Sequence, residues 1–161
     1  MKNVIPQVVV AFGIVFFGLS QSANAQWGQQ QNAAPVVTAK QIRELQADQN
    51  VKDKFIVVDV RAKAESDVSV IPGAITKAKF EQTANQHQGK AIIVYCTSGG
   101  RSAKYANLLK QKGWNAWNYK GSILDWCKNK LPLTKQDGTK TNRVHTYSRW
   151  NSVPREYQAV R

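Results

Sequence analysis

The sequence predicts an α/β domain with a mostly parallel central sheet flanked by helices. Three observations carry this prediction. Phe55–Val60 and Ala91–Tyr95 are continuous apolar runs broken only by Asp59. Continuous rather than alternating apolarity marks strands buried on both faces. Ser102–Lys112 has helical spacing, with Tyr105, Leu108 and Leu109 at i, i+3 and i+4 and Ala106 beside them as the expected buried stripe. Strand-like and helix-like segments also alternate along the chain, as in crossover-connected parallel sheets.

Each element has a local reason. Val36-Val37 is a short strand candidate. Thr38 with Gln41 three residues later makes a capping-box pattern that opens a helix through about Gln46. The first strong strand follows at Phe55–Val60. Pro72-Gly73 turns the chain, Ala74–Thr76 is a weak strand, and Phe80–Gln86 is expected to form a helical turn or two. Ala91–Tyr95 is the second strong strand, and the Ser102–Lys112 helix stops at Gly113, a residue suited to the position after a helix C-terminus. Trp114–Tyr119 is a further strand candidate. Lys120-Gly121-Ser122 leads into a short helix, Ile123–Lys130.

The ends of the chain differ from its middle. Met1-Lys2, the apolar run Val8–Leu19 and Ala23-Asn24-Ala25 form the three-part pattern of a secretory signal peptide over residues 1–25. A membrane anchor is the rival reading, but a spanning helix wants about 20 apolar residues. The bacterial periplasm is therefore the expected destination, with no stable membrane anchor after cleavage. Residues 26–35 are Gln-rich and read as a flexible leader. Residues 134–161 are a basic C-terminal extension holding Tyr147, Trp150 and Tyr157, which are expected to pack back on the domain, the alternative being that they bind a partner or a membrane surface.

With 161 residues the chain suits one compact domain and is too short for two full ones. Lys and Arg outnumber Asp and Glu by 23 to 10, giving +13. Scattered charge on an exported chain reads as a solvated basic surface and not as a nucleic-acid site; the alternative is a functional surface that steers small anions, acidic partners or lipid head groups. Two cysteines and two histidines exclude a disulfide-dense miniprotein. A four-ligand zinc site would need all four of those residues. No metal or organic cofactor is implied.

The chemistry centres on Cys96-Thr97-Ser98-Gly99-Gly100-Arg101, between the second strong strand and the Ser102–Lys112 helix. Ligands of parallel sheets bind beyond the carboxyl ends of the strands. Two glycines let such a loop fold tightly, so that backbone N–H groups turn inward and bind anions, helped by the helix N-terminus behind them. A thiol there has a lowered pKa, and its thiolate is a nucleophile. Arg101 offers a planar, permanently charged fork for an oxyanion. The rival reading is a buried core cysteine in an ordinary strand–helix connection.

This constellation resembles the rhodanese-like domain, and the likeness extends over about residues 36–133. Asp59-Val60-Arg61 resembles the family's early Asp-x-Arg, and Glu65 follows at the usual place. Ile71-Pro72-Gly73-Ala74-Ile75 resembles its His-x-Pro-Gly-Ala-x segment without the histidine. The Cys96–Arg101 loop matches, Gly121-Ser122-Ile123-Leu124-Asp125-Trp126 resembles Gly-Gly-x-x-x-Trp, and Leu131-Pro132-Leu133 resembles the usual close. The chain departs from the family at Ser69-Val70, where Gly-His is frequent, and at Ser122, where a second Gly is frequent.

The resemblance implies a sulfurtransferase. Cys96 would take sulfane sulfur from a small anionic donor such as thiosulfate and pass it, as a persulfide, to cyanide or a thiol. Backbone groups of Thr97, Ser98, Gly99 and Gly100 would cradle the sulfur, and Arg101 would orient the donor. The Ser98 hydroxyl resembles that of mercaptopyruvate-using members. Asp59 and Arg61 would act as structural ion-pair partners. The Cys-x4-Arg spacing is shorter than the Cys-x5-Arg of related phosphatases and favours sulfur transfer. Cys127 opens an alternative: a Cys96–Cys127 disulfide would make the domain redox-gated, while a free Cys127 would leave it always active. A non-catalytic binding or regulatory module on the same fold is the other alternative.

Overall fold

A computed structural model of the chain describes residues 33–161. The expected signal peptide and most of the expected leader lie outside the described residues. Among the described residues, no helix is long and apolar enough to cross a membrane.

Thr38 caps the first helix, α1 (Ala39–Ala47). Its hydroxyl accepts from the Gln41 N–H, and the Gln41 amide oxygen accepts from the Thr38 N–H in return. This is the expected capping box. Four parallel strands follow: β1 (Phe55–Asp59), β2 (Ile75–Thr76), β3 (Ala91–Tyr95) and β4 (Ala116–Asn118), laid side by side in the order β2-β1-β3-β4. Val57 and Val58 of β1 pair with Ile93 and Val94 of β3. Successive side chains on a strand point to opposite faces, so each strand feeds two cores. Val57 and Ile93 join Ile42, Trp126 and Ile123 on one face. Val58, Ile92 and Val94 join Phe80, Ala106 and Leu109 on the other. Covering both faces is what demanded the unbroken apolar runs.

The connections are α2 (Lys63–Ser66), α3 (Lys77–Gln82) with a 3-10 turn at Ala84–His87, α4 (Gly100–Gln111) and α5 (Ser122–Lys128). Three expectations change here. The helical turn expected from Phe80 begins three residues earlier, because the Thr76 hydroxyl caps it by accepting from the Lys79 N–H at 3.2 Å. Leu108 does not join the buried stripe of α4; it is exposed, while Tyr105, Ala106 and Leu109 carry the contact. Val36 and Val37 form no strand of their own but bridge to Asn118, extending the sheet beyond β4.

Residues 134–161 fold onto the same compact unit as the sheet. Two short strands, β5 (Leu133–Thr134) and β6 (Lys140–Thr141), pair antiparallel around a turn at Asp137-Gly138. Two more, β7 (Arg143–His145) and β8 (Gln158–Val160), pair in parallel. Val144 of β7 is fully buried in the first core, and the Tyr157 hydroxyl donates to the Leu131 carbonyl at 2.6 Å. The expectation that the tail packs its aromatics inward holds for Tyr157 alone. Tyr147 and Trp150 stay exposed.

Candidate active site

The order β2-β1-β3-β4 means that the chain leaves β1 toward one side and returns to β3 on the other. The carboxyl ends of β1 and β3 therefore flank the crevice where parallel sheets place their ligands. Asp59 ends β1 and Cys96 follows the last residue of β3.

The β1 side is a buried polar brace. Arg61 donates to both Asp59 carboxylate oxygens, at 2.7–3.0 Å, and to the Ser69 carbonyl. Both side chains of the pair are fully buried. Ser66 and the Tyr95 hydroxyl each donate to Asp59 at 3.0 Å, and Tyr95 accepts from the Ile71 N–H. Tyr95 lies on β3, so this network ties the ends of β1 and β3 together. Buried charges persist only when paired and hydrogen-bonded in this way.

The β3 side carries the thiol. Gly99 adopts φ +100, a conformation open to glycine, and a Cβ there would run into the Lys120 backbone carbonyl. This turn folds the loop back so that the Gly99 N–H donates to Cys96 Sγ at 3.1 Å. Ser102, in the first turn of α4, donates its hydroxyl to the Gly99 carbonyl at 3.1 Å and lies close enough to the sulfur to favour its ionised form, and the Ser122 hydroxyl stands 3.8 Å away. Burial opposes ionisation of Cys96, but these donors outweigh it and bring the thiol down to about 7. The residue is 1% exposed, while Ser98 and Gly100 of its loop are exposed. His87 stacks on Phe80 and bonds Thr83, and His145 accepts from the Tyr147 N–H. Neither histidine is among the groups that tune the sulfur.

Arg101 is not a free arm. It forms a two-pronged pair with Glu65, at 2.6 and 2.9 Å, and donates to the Thr97 hydroxyl at 2.8 Å. Thr97 itself donates to Glu65 at 2.8 Å, so its side chain holds the loop in place. Burial works against the Glu65 charge, yet Arg101, Thr97 and the Ala62 N–H overcome it and hold the carboxyl at about 2. Tyr147 of the extension lies over the Arg101 guanidinium at 5.0 Å. Glu65, Ser102, Ser122 and Tyr147 thus belong to the site alongside the residues that spacing suggested. Only the place of Glu65 in the family pattern and the serine in a glycine position hinted at two of them.

Cys127 lies on α5 among apolar side chains and is free, as is Cys96. Among the described residues, no group of three or more His, Cys, Asp or Glu is gathered to hold a metal ion.

A four-stranded parallel sheet with a cysteine loop at its switch point is the architecture of one domain class, and comparison with known proteins names it. The rhodanese-like domain family matches residues 38–129, and the chain belongs to that family. A sulfurtransferase from Allochromatium vinosum is 28% identical over 90 residues, which are 53% of this chain and 84% of that protein. A tRNA sulfurtransferase from Desulfurococcus amylolyticus is 34% identical over 68 residues, 42% of this chain but only 14% of that much longer protein. Proteins named tRNA uridine(34) hydroxylase also match, and the chain spans 27–36% of their length. The crystal structure of a rhodanese-related protein from Thermoplasma volcanium superposes with a TM-score of 0.52 at 25% identity, covering 62% of this chain and 97% of that one.

Proposed function

We propose that the protein is a sulfurtransferase that moves sulfane sulfur from a small anionic, thiosulfate-like donor to a thiophilic acceptor through a persulfide on Cys96. The observation that carries this reading is the Gly99 N–H held 3.1 Å from a thiol whose pKa is lowered to about 7. A large fraction of the thiol is then ionised near neutral pH without a histidine base.

The reaction runs in two displacements. The Cys96 thiolate attacks the outer sulfur of the donor. A new S–S bond forms, the donor's own S–S bond breaks, and sulfite leaves with that electron pair. The persulfide sulfur then lies near the open edge of the loop, where Ser98 and Gly100 are exposed, with loop N–H groups to hold its charge. A cyanide or thiolate acceptor next attacks the outer sulfur and restores the Cys96 thiolate. Thr97, Ser98, Gly99 and Gly100 contribute backbone to this cradle. Arg101, fixed by Glu65, contributes a stationary positive charge that draws the donor. The low exposure of Cys96 suits a small donor over a bulky one. We further propose that this transfer takes place in the periplasm, as the signal-peptide pattern of residues 1–25 suggests.

Thiosulfate added to the purified protein is expected to raise its intact mass by one sulfur atom, and cyanide is expected to remove that atom as thiocyanate. Cys96→Ser is expected to abolish both. Thiocyanate formation that persists in this variant would sink the reading. A wild-type protein that gains no sulfur from thiosulfate or mercaptopyruvate would favour a non-catalytic module.

A further inference from the structure

Ser122 keeps a side chain where the backbone disfavours one. It opens α5 with φ +57 and is fully buried. Left-handed backbone strains a non-glycine residue, and the place of Ser122 in the loop-to-helix turn is one that glycine would fill without strain. A buried hydroxyl held against that cost is expected to do something at the site beside it.

Its hydrogen bonds show what. The Ser122 oxygen accepts from the Cys96 N–H at 3.0 Å, pinning the point where β3 runs into the loop. The hydroxyl has one proton and two acceptors in range: the Tyr119 carbonyl at 2.9 Å and Cys96 Sγ at 3.8 Å. A neutral thiol is a weak acceptor, so the carbonyl takes the proton while Cys96 is protonated. A thiolate is a charged acceptor and competes far better. The Tyr119 carbonyl can release the hydroxyl cheaply, because it also accepts from the Ser122 N–H at 3.1 Å.

We propose that Ser122 is a positioning residue for Cys96: its hydroxyl turns from the Tyr119 carbonyl to the sulfur when that sulfur becomes anionic, and so completes, from α5, the set of donors that the loop supplies only in part. Gly99 holds the sulfur from the loop, Ser102 flanks it from the start of α4 with its hydroxyl on the Gly99 carbonyl, and Ser122 reaches it from the start of α5. The charged groups facing the sulfur are Arg101 and, behind it and paired with it, Glu65. No covalent bond changes; one O–H rotates. The inference rests on the reading of Cys96 as the nucleophile.

Ser122→Gly and Ser122→Ala test it. Glycine removes the hydroxyl and relaxes the backbone, whereas alanine removes the hydroxyl and keeps the strain. The rate at which iodoacetamide labels Cys96 is followed against pH, with the labelled peptide identified by mass, and thermal unfolding is recorded in parallel. Both variants are expected to move the labelling midpoint upward by about one pH unit, a tenfold loss of rate below the midpoint, although Ser122→Gly unfolds at a higher temperature than Ser122→Ala. If Ser122→Gly folds and keeps the wild-type midpoint, the hydroxyl only anchors backbone and the proposal is overturned. The test needs no sulfur donor. A wild-type protein that takes up no sulfur would overturn the sulfurtransferase reading while leaving the midpoint comparison intact.

Discussion

The protein holds two buried thiols in opposite chemical states, and the contrast shows what burial does and does not decide. Cys127 sits on α5 against Trp126, Tyr119 and the surrounding apolar core. Burial pushes its pKa up to about 12, only partly offset by the charge of Arg61. Cys96 is equally hidden from solvent, yet its sulfur meets N–H and O–H donors from three elements and ionises near 7. Burial alone makes a cysteine inert; burial among aimed donors makes it reactive. Both residues are removed from water, so what separates them is the backbone: one follows a strand end and a glycine turn, the other lies inside a helix.

The sharpest test of that contrast is to remove each thiol in turn. Cys96→Ser is expected to lower thiocyanate formation by a factor of a thousand or more, roughly the reach of a lost covalent nucleophile. Cys127→Ala is expected to leave turnover within about twofold while costing on the order of 1–2 kcal/mol in stability for the small cavity. Equal losses in the two variants would erase the distinction.

The two neighbouring glycines give a second test of intermediate size. Gly99→Ala forces an alanine into φ +100 and against the Lys120 carbonyl. It is expected to cost about 2–4 kcal/mol and to misplace the N–H that faces the sulfur. Gly100→Ala opens onto empty space at the start of α4 and is expected to be neutral or stabilising by about 0.5–1 kcal/mol. Urea unfolding of the two variants measures the difference. A Gly99→Ala protein as stable as wild type would show that the turn is not what aims the loop.

A third test is stability against pH, and its two halves have opposite signs. The folded Cys96 loses its proton at about 7, below the ordinary thiol value of 9.0. Between those values the unfolded chain binds the extra proton, so stability rises with pH and this contribution fades as pH falls toward 7. The folded Cys127 keeps its proton up to about 12. Its contribution is complete below the ordinary thiol value and is lost as pH rises from there toward 12. Stability curves from pH 7 to 11 should therefore lose their rising limb in Cys96→Ser and their falling limb in Cys127→Ala. Curves of unchanged shape would contradict the opposite ionisation of the two thiols.

Legibility in the sequence followed the length scale of each signal. Phe55–Val60 and Ala91–Tyr95 were readable because burial on both faces leaves an unbroken apolar run, and Thr38 with Gln41 because a capping box is closed within four residues. α2 spans four residues and the strands of the extension two or three, too few to complete any period, so nothing in their sequence announces them. Leu108 fell on the expected face of α4, yet the sheet beneath the helix covers a narrower stripe than the periodicity suggests. At the site, the loop was legible because its glycines and its cysteine are contiguous. The partners were not. Glu65 reaches Arg101 across 36 positions, and Ser122 reaches Cys96 across 26, distances over which only the topology of the sheet brings side chains together.

The family match ends at residue 129, but the fold does not. Thr134 bridges to Val70, Val144 fills the core beside Leu133, and Val153 and Tyr157 close over it. Beyond that seam, Tyr147 reaches the guanidinium that steadies the cysteine loop. Anyone shortening this chain to its recognisable portion would strip a wall from the building: greasy interior would meet solvent, and the clasp on the reactive corner would go with it. What looks like a basic appendix works as masonry.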